Sequence, residues 1–215
     1  MPTAVDEFKQ ALHGNAARYG IALEDDDVER LSEYHELLRK WNDRLHLVAP
    51  CAPATFATRH VLESLMLLSH LPRAAAMVDV GTGGGLPIIP CLIVRDDLHA
   101  TLIESSQRKS AFLREALRSV KIGNRARIIT SRFEFLDPPD ADFVTCRALD
   151  HFAELLPKLL RWVPPNATLL LFVGEQLRKR IESTLPVVAI ELIPGSERRF
   201  LLIANPSNHK AVQDH

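Results

Sequence analysis

The stretch "VDVGTGGGLPIIP", Val78 to Pro90, places four glycines in five positions behind a short apolar run. Gly81, Gly83 and Gly85 give a G-x-G-x-G spacing, and such a loop lets a ligand come close to bare backbone. Three ligand types want that. A dinucleotide fingerprint, G-x-G-x-x-G, needs its third glycine at 86, where Leu86 stands. A phosphate-binding P-loop needs G-K-[ST], and none is present. The third type is a nucleoside cofactor without phosphate. Asp79, two residues before the first glycine, suits a ligand bearing an ammonium and a sulfonium and suits a pyrophosphate poorly. Glu104 closes the next apolar run, "TLIE", where it can accept hydrogen bonds from both hydroxyls of an adenosine ribose. That acid alone does not separate NAD from S-adenosylmethionine. Taken with Asp79 and the loop, it favours the methyl donor.

The texture of the chain supplies the frame around this loop. Residues 1–75 read as helix. "VERLSEYHELLRKWNDRLHLV" puts Val28, Leu31, Leu38, Trp41 and Leu45 at helical spacing, and "FATRHVLESLMLLSHL" repeats the pattern before Pro72. From Ala76 short apolar runs alternate with amphipathic stretches: "AMVDV", "HATLIE", "QRKSAFLREALRSVK", "RARIIT", "DFVTC", "HFAELLPKLLRWV" and "ATLLLFV". Pro157 is expected near the first turn of its helix, or to kink it. "RKRIESTL" reads as a last helix, followed by "VVAIELI" and "RRFLLIA" joined through "PGSE", a hairpin connection. This predicts an α/β fold: a seven-stranded mixed sheet, order 3-2-1-4-5-7-6, with helices on both faces, a C-terminal antiparallel hairpin and an N-terminal helical extension. The expected division is an extension over 1–75, a cofactor-binding domain over 76–205 and a frayed tail over 206–215.

Composition narrows the class. Of the 215 residues 47% are hydrophobic, enough for a sizeable core. No apolar run approaches the roughly 18–20 residues of a membrane span. The opening "MPTAVDEFKQALHG" carries charges where a signal peptide needs an apolar stretch. Cys51, Cys91 and Cys146 are scattered, without C-x-x-C. They are read as small buried thiols of a reduced cytoplasmic protein, with no metal site. The net charge is −1, but Ser105 to Arg132 holds eight basic residues (Arg108, Lys109, Arg114, Arg118, Lys121, Arg125, Arg127, Arg132) against one acid, Glu115. That local surplus of seven positive charges is either a phosphate-attracting face or a solvated helix surface.

The motifs together resemble a known family, the RsmG (GidB) methyltransferases of bacterial small-subunit ribosomal RNA. The resemblance is carried by "VDVGTGGGLPIIP", "RKWNDRLHLV", "TRHVLESL", "TLIESSQRKSAFLRE", "ITSRFE" and "CRALDHFAELL", in order over roughly residues 25–175. It implies a class I S-adenosylmethionine-dependent, Rossmann-like fold and methylation of N7 of a guanosine in 16S ribosomal RNA. The expected partner is that RNA or the small subunit, and the protein is expected to act as a monomer. Matching positions place Gly81, Leu86, Phe133, Glu134 and Arg147 at the donor and make Glu104 the ribose acid. Ser131, in the same segment as Phe133, joins them, as do Asp79, Gly83 and Gly85.

Guanine N7 has an in-plane lone pair and loses no proton before attack, so no general base is expected. Arg147 is then a positioning group, through the donor carboxylate or guanine O6; the alternative is a structural ion pair with Asp142 or Asp150. The expected RNA contacts are Arg59, His60, Arg108, Lys109, Arg114, Arg178 and Lys179. For the Arg59–His60 pair the alternative is capping or packing, and Trp41 is read as core rather than as a base-stacking platform. The chain departs from the family at Val173-Gly174, where Lys-Gly is usual; Arg178, Lys179 and Arg180 lie close by in sequence. Two rival readings stay open: a methyltransferase of another RNA or a small molecule, and a catalytically silent RNA-binding or assembly factor.

Overall fold

A computed structural model of the chain describes residues 2–147 and 152–206. Its seven strands, β1 (Ala76–Val80), β2 (His99–Ile103), β3 (Ala126–Ile129), β4 (Phe143–Cys146), β5 (Thr168–Gly174), β6 (Val187–Leu192) and β7 (Arg199–Ala204), form one sheet. The order is β3-β2-β1-β4-β5-β7-β6, as expected. β1 to β5 run parallel, and β7 is antiparallel to both β5 and β6. The parallel strands read as near-continuous apolar runs because helices cover both faces.

One covering layer holds the N-terminal helices α1 (Ala4–Asn15), α2 (Asp25–Leu45), α3 (Pro53–Phe56) and α4 (Glu63–Leu65), with α5 (Ile88–Val94) and α6 (Gln107–Ser119). The other holds α7 (Phe152–Trp162) and α8 (Glu175–Glu182). β1 shows how a strand serves both layers. Met77 packs with the N-terminal helices, while Val78 and Val80 pack with the second cluster. Strand alternation therefore turns Asp79 toward the Met77 side, under the glycine loop.

Two expectations need correcting. The run 56–70 is not one regular helix: between α3 and α4, Ala57–Leu62 is π-helical, and Met66–His70 is a 3-10 turn. A π turn leaves backbone carbonyls without their usual partners, and here those of Arg59 and His60 accept hydrogen bonds from Arg147. Pro157 sits inside α7, just past its first turn. Cys51 is exposed, in the loop ahead of α3, while Cys91 and Cys146 are buried as expected. Trp41 is partly buried and meets the Phe112 ring edge-on at 6.1 Å. Of the expected tail, residues 207–215 lie outside the described residues, as does Asp150.

Candidate functional site

The carboxyl ends of β1, β2 and β4 open into a cavity of about 890 Å³, inside the range of small-molecule sites. This is the edge of an open α/β sheet where ligands bind. The loop after β1 forms its floor. The amides of Gly81 and Thr82 both donate to the Ile103 carbonyl, at 2.9 and 3.2 Å, which ties the loop to the end of β2. Gly83 (φ 53°) and Gly85 (φ 83°) adopt left-handed backbone that side chains rarely tolerate. A Cβ on Gly85 would lie 2.4 Å from Cδ1 of Ile89, so the loop can close onto α5 only with glycine there. The Tyr34 hydroxyl donates to the Gly84 carbonyl at 2.5 Å, and a Cβ added at Gly84 would meet Leu38 and Leu47 at 3.4 and 3.5 Å. The N-terminal helices thus hold the loop from behind.

Glu104 is nearly buried and its carboxylate is fixed at both ends. Oε2 accepts from the Gly83 amide at 3.0 Å and Oε1 from the Ser106 amide at 2.8 Å. Each oxygen keeps a second lone pair, so the group can still receive a diol. Asp79 lies beneath the loop, 0% exposed; the Thr82 hydroxyl is near enough to favour its charged form, but neither carboxylate oxygen has a well-formed hydrogen bond among the described residues. Burial, with the Glu104 charge adding to it, lifts its pKa to about 8. In the apo-protein this acid is mainly protonated near neutral pH; a cationic nucleoside above it favours the ionised carboxylate, and a diphosphate disfavours it.

The remaining walls come from four segments. Asn42 holds the loop after α2 by a double hydrogen bond with Val48, amide to Oδ1 and Nδ2 to carbonyl, both at 3.0 Å. That sets His46, Leu47, Val48 and Ala49 along one side. Ser131, Arg132, Phe133 and Glu134 form another, with Phe133 only 4% exposed and its ring edge-on to Trp162 at 5.5 Å. His60 comes from the π turn. Its pKa is lowered to about 4, first by burial and then by the charges of Arg147, Arg59 and Arg199, so near neutral pH its ring carries no charge. The cause fits the capping-or-packing alternative better than a phosphate contact: its ring lies 5.0 Å from that of Phe56.

Arg147 ends at the cavity but turns its guanidinium away from open space. Nη1 donates to Ser64 Oγ at 3.1 Å and to the His60 carbonyl at 3.3 Å. Nη2 donates to the Arg59 carbonyl at 2.5 Å and to Oε2 of Glu63 at 3.1 Å. Its plane sits over Phe172, 5.1 Å from the ring centroid. Asp142, one of the two anticipated partners, instead accepts from the Ala76 amide. Glu63 is 1% exposed and also pairs with Arg199.

Of the residues singled out in the sequence, Gly81, Gly83, Leu86, Glu104, Lys109, Ser131, Phe133, Glu134, Arg147 and His60 line the cavity. Asp79 and Gly85 lie below it. Arg59 is exposed, and Arg108 and Arg114 project from the outer face of α6. Arg178 is not brought to the site: on α8 it pairs with Glu175 and Glu182 and covers Phe200, while Lys179 pairs with Glu175. Arg125, counted in the basic run, is structural and donates to the carbonyls of Leu92, Arg95 and Leu98. Val173 is buried and paired across to Phe200. Tyr34, Asn42, Glu63 and Arg199 carry the site without having been singled out. Asn42 and Glu63 fall inside motifs quoted for the family, which was the available signal.

Comparison with known proteins agrees with this architecture. Residues 27–193 match the family model GidB, rRNA small subunit methyltransferase G. Ribosomal RNA small subunit methyltransferase G of Paracoccus denitrificans is 37% identical over 156 residues, 72% of this chain and 80% of that protein. The protein of the same name from Xanthomonas euvesicatoria is 41% identical over 145 residues, 67% and 68% of the two chains. Among solved structures, a SAM-dependent methyltransferase from Aquifex aeolicus superposes with a TM-score of 0.56 at 16% identity, covering 79% of this chain and 96% of that one, which speaks to the fold. The family match spans most of the chain and contains the glycine loop, Glu104 and Arg147, so the chain belongs to the GidB family of rRNA small subunit methyltransferases.

Proposed function

We propose that the protein transfers the methyl group of S-adenosylmethionine to N7 of a guanosine in 16S ribosomal RNA. The observation that carries the reading is Glu104, held by the amides of Gly83 and Ser106 at the foot of a glycine-lined cavity, in a chain of this family. Glu104 receives the ribose hydroxyls. Gly81, Gly83 and Leu86 admit the donor's backbone-hugging face, Ser131, Phe133 and Glu134 border its base, and Asp79, protonated in the apo-protein near neutral pH, becomes the negative charge beneath the bound cation.

The donor brings a methyl group already activated by its sulfonium. The protein's task is therefore geometric: it holds the guanine lone pair in line at roughly 3 Å and keeps water out. No group of the site needs to take a proton, and His60 is uncharged for a packing role in the wall. Arg147 acts on this geometry indirectly, since both its Nη atoms are engaged by the Arg59–Ser64 backbone and side chains. Lys109 and Arg132 join the cavity to the exposed cations Arg108 and Arg114 of α6, which form the RNA face. Arg59 lies exposed beside the cavity wall, where it reaches phosphate. The reading places a monomer on the small subunit in the cytoplasm; no described helix is long and apolar enough to cross a membrane.

Labelled methyl transfer to small-subunit particles and to naked rRNA, followed by nucleoside mass spectrometry, tests this. Label in 7-methylguanosine of 16S rRNA is expected. Label in another nucleoside, or none in either substrate, contradicts it.

A further inference from the structure

Glu63 is the least explained charge in the molecule. It is 1% exposed, lies in the helix that follows the π turn, and touches two cations from different parts of the sheet: Arg147 at the end of β4 and Arg199 at the start of β7. Arg199 stands opposite Gly174, the last residue of β5, so the contact reaches across the carboxyl edge of the sheet. Both arginines compensate the buried carboxylate, although burial still raises its pKa above the ordinary value. Replacing such a group by a hydrophobic one is often neutral for stability, so stability alone does not explain a buried ionic cluster.

Its position does. Three residues before Glu63 is His60, a wall of the cavity, and the carbonyls of Arg59 and His60 accept from the same guanidinium that Glu63 anchors. Ser64 Oγ completes the lattice, accepting from Arg147 and donating to the His60 carbonyl. The glycine loop is tied to the end of β2 by separate bonds. The bonds of Glu63 and its arginines therefore reach the His60 half of the cavity directly, and the glycine half only through packing shared with α2 and α5.

We propose that Glu63 is a positioning residue for methyl transfer: by joining Arg147 to Arg199 it fixes the His60 wall, where the guanine is presented, relative to the donor's loop. This rests on the functional reading above, and it predicts a split between donor binding and transfer.

The test compares wild type, Glu63→Gln, Arg199→Gln and Arg199→Lys by calorimetry with S-adenosylmethionine and by single-turnover methylation of small-subunit particles. Glu63→Gln is expected to lower the transfer rate about 10- to 100-fold, the scale of a misplacement near 1 Å. Its donor Kd stays within about twofold of wild type. Arg199→Gln loses rate in the same sense, and Arg199→Lys, which keeps a charge for Glu63, recovers most of it. A Glu63→Gln protein that transfers at the wild-type rate overturns the proposal, as does a loss that appears equally in donor Kd. If Glu63→Gln does not fold, the Arg199 pair decides: an Arg199→Gln protein as fast as wild type overturns it. A wild type that does not methylate the particles counts against the reaction itself, a different outcome from an active wild type with equally active variants.

Discussion

Nη2 of Arg147 lies 3.1 Å from Oε2 of Glu63, so the arginine that follows β4 lines the cavity with its guanidinium bound to the N-terminal helices. Its four hydrogen bonds end on residues 59–64. A lysine keeps the charge but not the planar fork that reaches four acceptors. Arg147→Lys is expected to cost about 2–4 kcal/mol of stability, close to breaking a buried pair, as measured by urea unfolding. Stability equal to wild type would show that the fork is dispensable.

The loop geometry makes a second prediction. At Gly85 a methyl group meets both a left-handed φ of 83° and Ile89 Cδ1 at 2.4 Å. Gly85→Ala is expected to destabilise by about 1–3 kcal/mol. Adding Ile89→Val, which removes Cδ1, should recover only part of this, because the backbone strain stays and so does Cγ1, 2.8 Å from the added methyl. Full recovery in the double variant would mean that crowding alone was responsible.

Asp79 ties pH to stability and to donor binding. Its pKa is raised by burial from 3.8 to about 8, so the folded apo-protein holds a proton that the unfolded chain releases above its own pKa. The stabilisation from that proton is complete below about pH 4 and is lost as pH rises through about 8. Asp79→Asn should remove this part of the decline, visible as a flatter unfolding free energy between about pH 4 and about pH 8 in urea titrations. A cationic donor favours the ionised acid, so wild type should bind S-adenosylmethionine more tightly as pH rises over the same interval. An Asp79→Asn protein with the wild-type pH profile in both measurements would remove Asp79 from the account.

The outer face of α6 carries Arg108 and Arg114, with Lys109 lining the cavity. If these cations meet phosphates, replacing all three by alanine should reduce the slope of log affinity against log salt by about 2–3. Donor affinity should be unaffected in the Arg108→Ala, Arg114→Ala protein, which keeps the cavity-lining Lys109 and leaves Glu104 and the loop intact. An unchanged slope in a filter-binding or fluorescence titration would assign the face to solvent.

The sheet was legible because its information is local. Apolar runs of four to seven residues separated by amphipathic stretches fix a parallel core, and "PGSE" between two such runs fixes the hairpin. The glycine loop and Glu104 were legible for the same reason: each sits at the end of a recognisable strand. What was not legible depends on pairs far apart in the chain. Glu63 and Arg199 are separated by 136 positions, and Arg147 and Glu63 by 84. No spacing rule brings them together; only the strand order does. The π turn at 57–62 was hidden for a related reason, since its sequence repeats at helical spacing and its free carbonyls are satisfied by Arg147 from another element. Arg178 shows the converse: a cation close in sequence to the expected position is drawn to Glu175 and Glu182 on its own helix.

The most direct test is a calorimetric titration of wild type and Glu104→Gln with S-adenosylmethionine. One donor per chain is expected for wild type. Glu104→Gln replaces a charge-assisted acceptor by a neutral one and is expected to bind at least about tenfold more weakly, a difference of about 1.4 kcal/mol. Equal affinity in the two proteins, or no binding by wild type, would contradict the claim that this cavity holds the methyl donor.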